Sequence, residues 1–322
     1  MGTLVLMGDY HYNKFLSSML FTRRIRRAGT LAGFLILSFL APATAHSQDR
    51  ADCGAIHSAI LQSSVRYCAY LPASYSAASS KAAKYPILYL LHGLGGTHQT
   101  MAQDGEWNKL QDLRRANLVG DFLVVEPEAW DTFYINSRDG RTRYGDFFLH
   151  EFIPYIERKY RVRPGRAERG ITGFSMGGYG ALRMAFAYPY LFGSVSAHSA
   201  AMSRLPNEGV SVADASSALF ASEVNAKVFG DPIDKAFWDL NSPFVLAKKN
   251  APALMRLKIY FDCGTEDRFG LSNSASELNQ TLNSLKIPHE FHLYPGGHGF
   301  DYLVAHSDAT FEFHWRVFNS RK

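Results

Sequence analysis

Residues 170–181 read GITGFSMGGYGA, with Ser175 set among five glycines. Arg169–Thr172 before it suits a buried strand. Met176–Tyr188 after it suits a helix that stops at Pro189. Gly173-Phe174-Ser175-Met176-Gly177 therefore places a G-x-S-x-G pattern on a strand–turn–helix. The serine of such a turn is held in a strained conformation, and side chains two positions to either side would collide. Its hydroxyl is lifted to the tip of the turn, where the helix N-terminus favours negative charge. A tight turn with an incidental serine has the same pattern, so the reading depends on a base, an acid and hydrogen-bond donors elsewhere.

Outward from this turn the pattern repeats. Nearly continuous apolar runs at Pro86–Leu91, Phe122–Val125, Ser194–Ala197 and Leu257–Phe261 suit parallel strands covered on both faces, and His289–Tyr294 adds a short one. Ala55–Ile60 and Val65–Leu71 are expected as a hairpin. Helical spacing is seen in Tyr144–Tyr160, Ser272–Leu285 and Phe300–Phe318. Alternating strands and helices predict an α/β fold, a mostly parallel central sheet with helices on both faces. Residues 198–250, interrupted by Pro206, Gly209, Gly230, Pro232 and Pro243, are expected as an irregular cap-like insertion.

The base and the acid of such a turn come later in the chain. Of the 12 histidines, His298 stands in Pro295-Gly296-Gly297-His298-Gly299, between the last strand and the last helix. His289 and His292 lie three apart on a strand, on opposite faces, which argues against a metal pair. His306 and His314 ride on the final helix as surface or packing residues. The acid comes from Asp262-Cys263-Gly264-Thr265-Glu266-Asp267. Asp262 still belongs to the strand, and spacing alone separates Asp267 from Glu266 only modestly. The oxyanion donors are expected at the Met176 N–H and, in the early loop His92-Gly93-Leu94-Gly95-Gly96, at the Leu94 N–H. His92 is expected to brace that loop. Trp107, Trp130 and Trp238 are expected in core packing rather than in an aromatic cleft.

Residues 1–45 contain Lys14, Arg23, Arg24, Arg26 and Arg27 against Asp9, so most of the net charge of +5 lies there. The near-neutral remainder gives no case for nucleic acid. Arg23–Arg27, the short apolar run Leu31–Leu40 and Ala43-Thr44-Ala45 read as a signal peptide, 1–45, with Met19 as start and 1–18 as an upstream extension. Cleavage would leave residues 46–322 in the periplasm or outside the cell with no membrane anchor. Of three cysteines, Cys53 and Cys68 flank the hairpin; whether they pair is left open, because the register is not readable. Cys263 would then be a buried thiol, and no spacing resembles a zinc or redox motif.

Four segments together resemble the esterase D-like family: Leu88–Gly96, Gly173–Leu182, Gly264-Thr265-Glu266-Asp267-Arg268-Phe269 and Gly296-Gly297-His298. Phe229-Gly230-Asp231-Pro232 and Asn241-Ser242-Pro243 are similar to its bacterial secreted or tributyrin-type branch. The resemblance runs from about Ser64 to the C-terminus. It implies an α/β-hydrolase fold and a carboxylesterase acting on a small-molecule or carbohydrate ester. The implied residues are Ser175 as nucleophile, His298 as base, Asp267 rather than Glu266 as acid, and Leu94 and Met176 as oxyanion donors. No metal or organic cofactor is implied, and a homo-oligomer is left open. S-formylglutathione hydrolases of the family are usually cytosolic and tend to carry Ser-Gly-Leu-Thr-Cys at the oxyanion loop. This chain departs from both, with a signal-like segment and His92-Gly93-Leu94-Gly95-Gly96. Both departures count against thioesterase action, which stands as one alternative; acyl transfer to a sugar is a second and a non-enzymatic binding protein a third.

Overall fold

The computed structural model describes residues 48–202, 223–230 and 232–320. The expected signal segment and the stretch 203–222 of the insertion lie outside them. Eight strands, β1 (Arg50–Ser58), β2 (Ser63–Leu71), β3 (Ile87–Leu91), β4 (Leu123–Pro127), β5 (Arg169–Gly173), β6 (Ser194–His198), β7 (Lys258–Gly264) and β8 (Glu290–Tyr294), form one sheet. Their order is β1-β2-β4-β3-β5-β6-β7-β8. Pairings β1–β2 and β2–β4 are antiparallel, and every pairing from β4 onward is parallel.

The run of apolar residues in β3 explains its central place: all of Ile87–Leu91 is buried. Side chains alternate across a strand, so Ile87, Tyr89 and Leu91 enter one core and Leu88 and Leu90 the other. The smaller core is closed by Met101 of α1 (Thr100–Asp104), Leu110 and Leu113 of α2 (Glu106–Arg115), and Phe311 and Phe318 near the C-terminus. The α1 and α2 helices, not among the elements expected from the sequence, are short and are separated by Gly105 in a left-handed conformation (φ 99°). The larger core takes α3 (Tyr144–Phe147), a π-turn Phe148–Phe152, α4 (Ile153–Lys159) and α5 (Met176–Ala187). The expected single helix over Tyr144–Tyr160 is therefore split by the π-turn.

The insertion contributes α6 (Glu223–Phe229), α7 (Lys235–Asn241) and α8 (Pro243–Lys249), followed by α9 (Ala251–Leu254). Tyr179 of α5 donates to the Asn241 carbonyl (3.0 Å), and Arg183 donates to Asn241 Oδ1 (3.0 Å). Phe229, Trp238, Phe244 and Leu246 are buried in the larger core. The last two helices are α10 (Leu271–Ser284) and α11 (Phe300–Asn319).

The hairpin register sets Cys53 opposite Cys68, and the two form a disulfide. Cys263 is a buried free thiol. Among the described residues no helix is long and apolar enough to cross a membrane, and no group of His, Cys, Asp and Glu is placed to hold a metal ion.

His314 of α11 is fully buried between Ser194 Oγ (2.7 Å from Nδ1) and Ser196 Oγ (2.9 Å from Nε2). Burial, with the charge of His198 added, pushes its pKa down to about 3. The fold therefore holds a neutral ring, whereas the unfolded chain takes up a proton near pH 6.5. The unfolded state binds more protons below that pH, so this contribution is full above pH 6.5 and is lost as pH falls toward 3. His314→Gln should flatten the wild-type fall in stability there by roughly 1.4 kcal/mol per pH unit. Urea unfolding at several pH values reads this directly, and equal slopes in the two proteins would disprove it.

Candidate active site

β3, β5, β6, β7 and β8 run parallel, so the loops that leave their carboxyl ends gather on one edge of the sheet. Ser175 stands in the turn from β5 to α5, with φ 54° and ψ −115°. A non-glycine residue rarely holds such a φ, and the surroundings must enforce it. The Ser175 N–H donates to the His198 carbonyl (3.0 Å), and its carbonyl accepts from the N–H groups of Tyr179 (3.0 Å) and Ala201 (2.9 Å). The flanking glycines are there for clearance. A Cβ on Gly177 would lie 1.8 Å from the Leu91 carbonyl oxygen, and one on Gly173 would lie 2.4 Å from the Gly177 backbone.

Three of the sequence-predicted residues meet here. Ser175 Oγ lies 2.9 Å from His298 Nε2, and His298 Nδ1 lies 2.8 Å from Asp267 Oδ2. With Nδ1 protonated and donating to Asp267, Nε2 is free to accept from the serine hydroxyl. Asp267 Oδ1 accepts the Phe269 N–H (2.9 Å), and its Oδ2 accepts the Cys263 thiol (3.6 Å). Burial alone would raise the pKa of Asp267, but the hydrogen bond and charge of His298 hold it below the ordinary carboxylate value. Burial pushes the neighbouring Cys263 thiol upward, so it stays protonated and serves as a donor.

Glu266, the competing acid, points to solvent, whereas Asp267 is only 7% exposed. The acid and histidine loops are stitched together by their backbones. The Thr265 N–H donates to the Tyr294 carbonyl (2.8 Å) and the Glu266 N–H to the Gly296 carbonyl (2.9 Å). The His298 ring is held between Phe174 (4.9 Å, tilted) and the edge of Phe269 (4.9 Å). The competing histidines of the last strand and last helix lie elsewhere. His289 stacks on Phe261 and His292 packs on Tyr260, on opposite faces, while His306 stacks on Tyr294.

The loop after β3 lies against the serine. A Cβ on Gly93 would be 3.2 Å from Phe174 and 3.6 Å from Ser175 Cβ. His92 is buried and braces this loop. Its Nδ1–H donates to the Gly93 carbonyl (2.8 Å), and its Nε2 accepts the Ala129 N–H (3.1 Å). Burial lowers its pKa, so the ring is neutral, as this pattern of one donor and one acceptor requires. The Gly93 carbonyl also accepts the Gly96 N–H (3.0 Å). Because the peptide is planar and trans, fixing this carbonyl fixes the Leu94 N–H on the opposite side. The Met176 N–H belongs to the first turn of α5, where helices leave N–H groups unbonded.

One tryptophan departs from expectation. Trp107 packs on Tyr70 (5.1 Å) and Trp238 on Phe229 (4.5 Å), but Trp130 is 43% exposed, with φ 49°. It follows β4 in a loop that also supplies Tyr134, whose hydroxyl donates to the His92 carbonyl (3.0 Å). His198 and Asp262, a buried pair behind the serine, were not singled out as site residues in the sequence. Each stands in a run of strand residues with no local pattern to mark it.

The sheet order, the strained serine at the end of β5 and the later acid and histidine loops define an α/β-hydrolase. Residues 58–309 match the family described as "Putative esterase", and the chain belongs to that family. An esterase of Mycobacterium tuberculosis is 30% identical over 233 residues, covering 67% of this chain and 49% of its own length. The chain thus spans about half the length of this curated relative. An acetyl esterase of Caldicellulosiruptor saccharolyticus is 27% identical over 232 residues, covering 71% of this chain and 83% of its own. Among solved structures, a ferulic acid esterase superposes with a TM-score of 0.71 at 27% identity, covering 84% of this chain and 99% of its own. An S-formylglutathione hydrolase from Agrobacterium tumefaciens shares the fold at a TM-score of 0.67 and 20% identity, covering 86% of this chain and 98% of its own.

Proposed function

We propose that this chain is an exported serine carboxylesterase that hydrolyses short-chain acyl or carbohydrate-linked esters through an acyl-enzyme. The observation that carries the reading is the hydrogen-bonded chain Ser175 Oγ–His298 Nε2 (2.9 Å) and His298 Nδ1–Asp267 Oδ2 (2.8 Å). In this reading Ser175 Oγ attacks the ester carbonyl carbon while His298 Nε2 takes its proton. Asp267 holds the ring in the required tautomer and stabilises the imidazolium. The tetrahedral oxyanion sits on the N–H groups of Leu94 and Met176. Collapse expels the alcohol, which leaves with the proton from His298. Water then repeats the sequence on the acyl-enzyme and releases the acid.

Ester chemistry is supported by the family and by the acetyl esterase and ferulic acid esterase among its relatives. Export is supported by the signal-like sequence of residues 1–45 and by the Cys53–Cys68 disulfide, since such bonds persist in oxidising compartments.

A fluorophosphonate probe tests the mechanism. One equivalent should label the protein, peptide mapping should place the label on Ser175, and hydrolysis of p-nitrophenyl acetate should fall in proportion to labelling. Full hydrolysis by completely labelled protein, or a label on another residue, overturns the reading.

A further inference from the structure

Behind the serine turn lies a second histidine–aspartate pair. His198 closes β6 and faces Asp262 of β7 across the parallel ladder. Each residue is 1% exposed, and Nδ1 of the ring lies 2.8 Å from Asp262 Oδ2, an ion-pair contact outside hydrogen-bond geometry. Two buried charges are costly unless they are paired and their remaining polar atoms are satisfied. Here His198 Nε2 meets Thr310 Oγ1 (2.6 Å), and Asp262 accepts the hydroxyls of Tyr260 (2.8 Å) and Tyr302 (2.8 Å). Burial disfavours charge on both groups. The Asp262 carboxylate nevertheless holds the His198 pKa above its usual value, and the His198 charge with the two tyrosine hydroxyls holds Asp262 below its own. Glu106 of α2 adds its charge toward His198, and His314 and His306 of α11 feel that ring.

Directly or through Tyr302, the pair connects to every segment that carries a member of the Ser175–His298–Asp267 chain. The His198 carbonyl accepts the N–H of Ser175 (3.0 Å), so the strained residue hangs from it. The Asp262 carbonyl accepts the Ser199 N–H (2.8 Å), and its strand runs on into the loop of Asp267. Tyr302 comes from the first turn of α11, directly after the His298 loop. Its ring packs on that loop, where a Cβ on Gly296 would lie 2.8 Å from Tyr302 Cδ2.

We propose that the His198–Asp262 pair, with Tyr302, is a positioning clamp that holds the Ser175, Asp267 and His298 segments at reacting distance from one another. The inference rests on the roles given to those three residues above. None of the three clamp residues lies within the hydrogen-bonded chain itself, so all act through it. An apolar pair of the same size would fill the space, but it would not hold the Tyr302 hydroxyl.

The test compares kcat and KM for p-nitrophenyl acetate in Asp262→Asn, His198→Asn, the double variant and Tyr302→Phe, normalised to active sites titrated with the fluorophosphonate. Misplacing a reacting group by about 1 Å costs up to about 100-fold. Asp262→Asn and His198→Asn should therefore lower kcat roughly 10- to 100-fold with KM within about threefold. The double variant should fall no further than the worse single, because the pair acts as a unit. If kcat per titrated site stays within about twofold while Tm drops, the pair is only a stabilising element and the proposal is wrong. Additive losses in the double variant overturn it as well. Should the charge variants not fold, Tyr302→Phe decides: a loss of about three- to tenfold in kcat supports the clamp and an unchanged kcat rejects it. Loss of function in Ser175→Ala reports on the esterase mechanism alone, so the two readings fail separately.

Discussion

Ser175→Ala should lower kcat for p-nitrophenyl acetate and butyrate by about 10⁴-fold or more. The size follows from what is removed. Oγ is the only atom that leaves, and it is the atom 2.9 Å from His298 Nε2. Alanine keeps the Cβ that the backbone already tolerates at φ 54°, so no new strain is introduced and the turn should persist. The oxyanion donors and the binding surface remain, which is why a small residual rate over water is expected. Measured by initial rates with matched circular dichroism, a folded variant that turns over near the wild-type rate would rule out the serine mechanism.

Asp267→Asn should cost nearly as much, about 10⁴-fold in kcat, without unfolding the protein. Asparagine still offers an oxygen to the Phe269 N–H, which Asp267 Oδ1 accepts at 2.9 Å. Toward His298, however, it can present an amide N–H where Oδ2 now accepts from Nδ1 at 2.8 Å. The ring then carries its proton on Nε2, and a protonated Nε2 cannot take the serine proton. Glu266→Gln is the control. That side chain is exposed and outside the hydrogen-bonded chain, so its kcat should match wild type within about twofold. If Asp267→Asn retains more than about a tenth of wild-type kcat, the acid has been misassigned.

Most of the sheet was legible because its strands announce themselves. Parallel strands covered on both faces are apolar almost throughout, as Pro86–Leu91 is and as Leu257–Phe261 is apart from Lys258, the exposed first residue of β7. Ser175 and His298 were legible because each sits among glycines that the geometry requires nearby. Asp267 was harder. Glu266 stands beside it with the same chemistry, and only the fold buries one and exposes the other. The π-turn at Phe148–Phe152 left no trace, since the apolar residues at 147, 148, 152, 155 and 156 fit an unbroken helical period equally well. Trp130 was misjudged because a tryptophan is usually buried, and nothing in the sequence shows that its loop turns outward. His198 and Asp262 were hidden for a different reason. Their pairing is a matter of register between two strands more than sixty residues apart in sequence, and register is made by the assembled sheet.

The bond between Cys53 and Cys68 bears on how the protein is made. It ties the outermost strand to its neighbour, on the side of the sheet away from β5, β7 and β8. Protein produced in a reducing cytoplasm carries two thiols there, and protein produced in an oxidising compartment carries a crosslink. The two preparations share one reaction centre. They differ at the first strand, where a protease would find the reduced form easier to peel open.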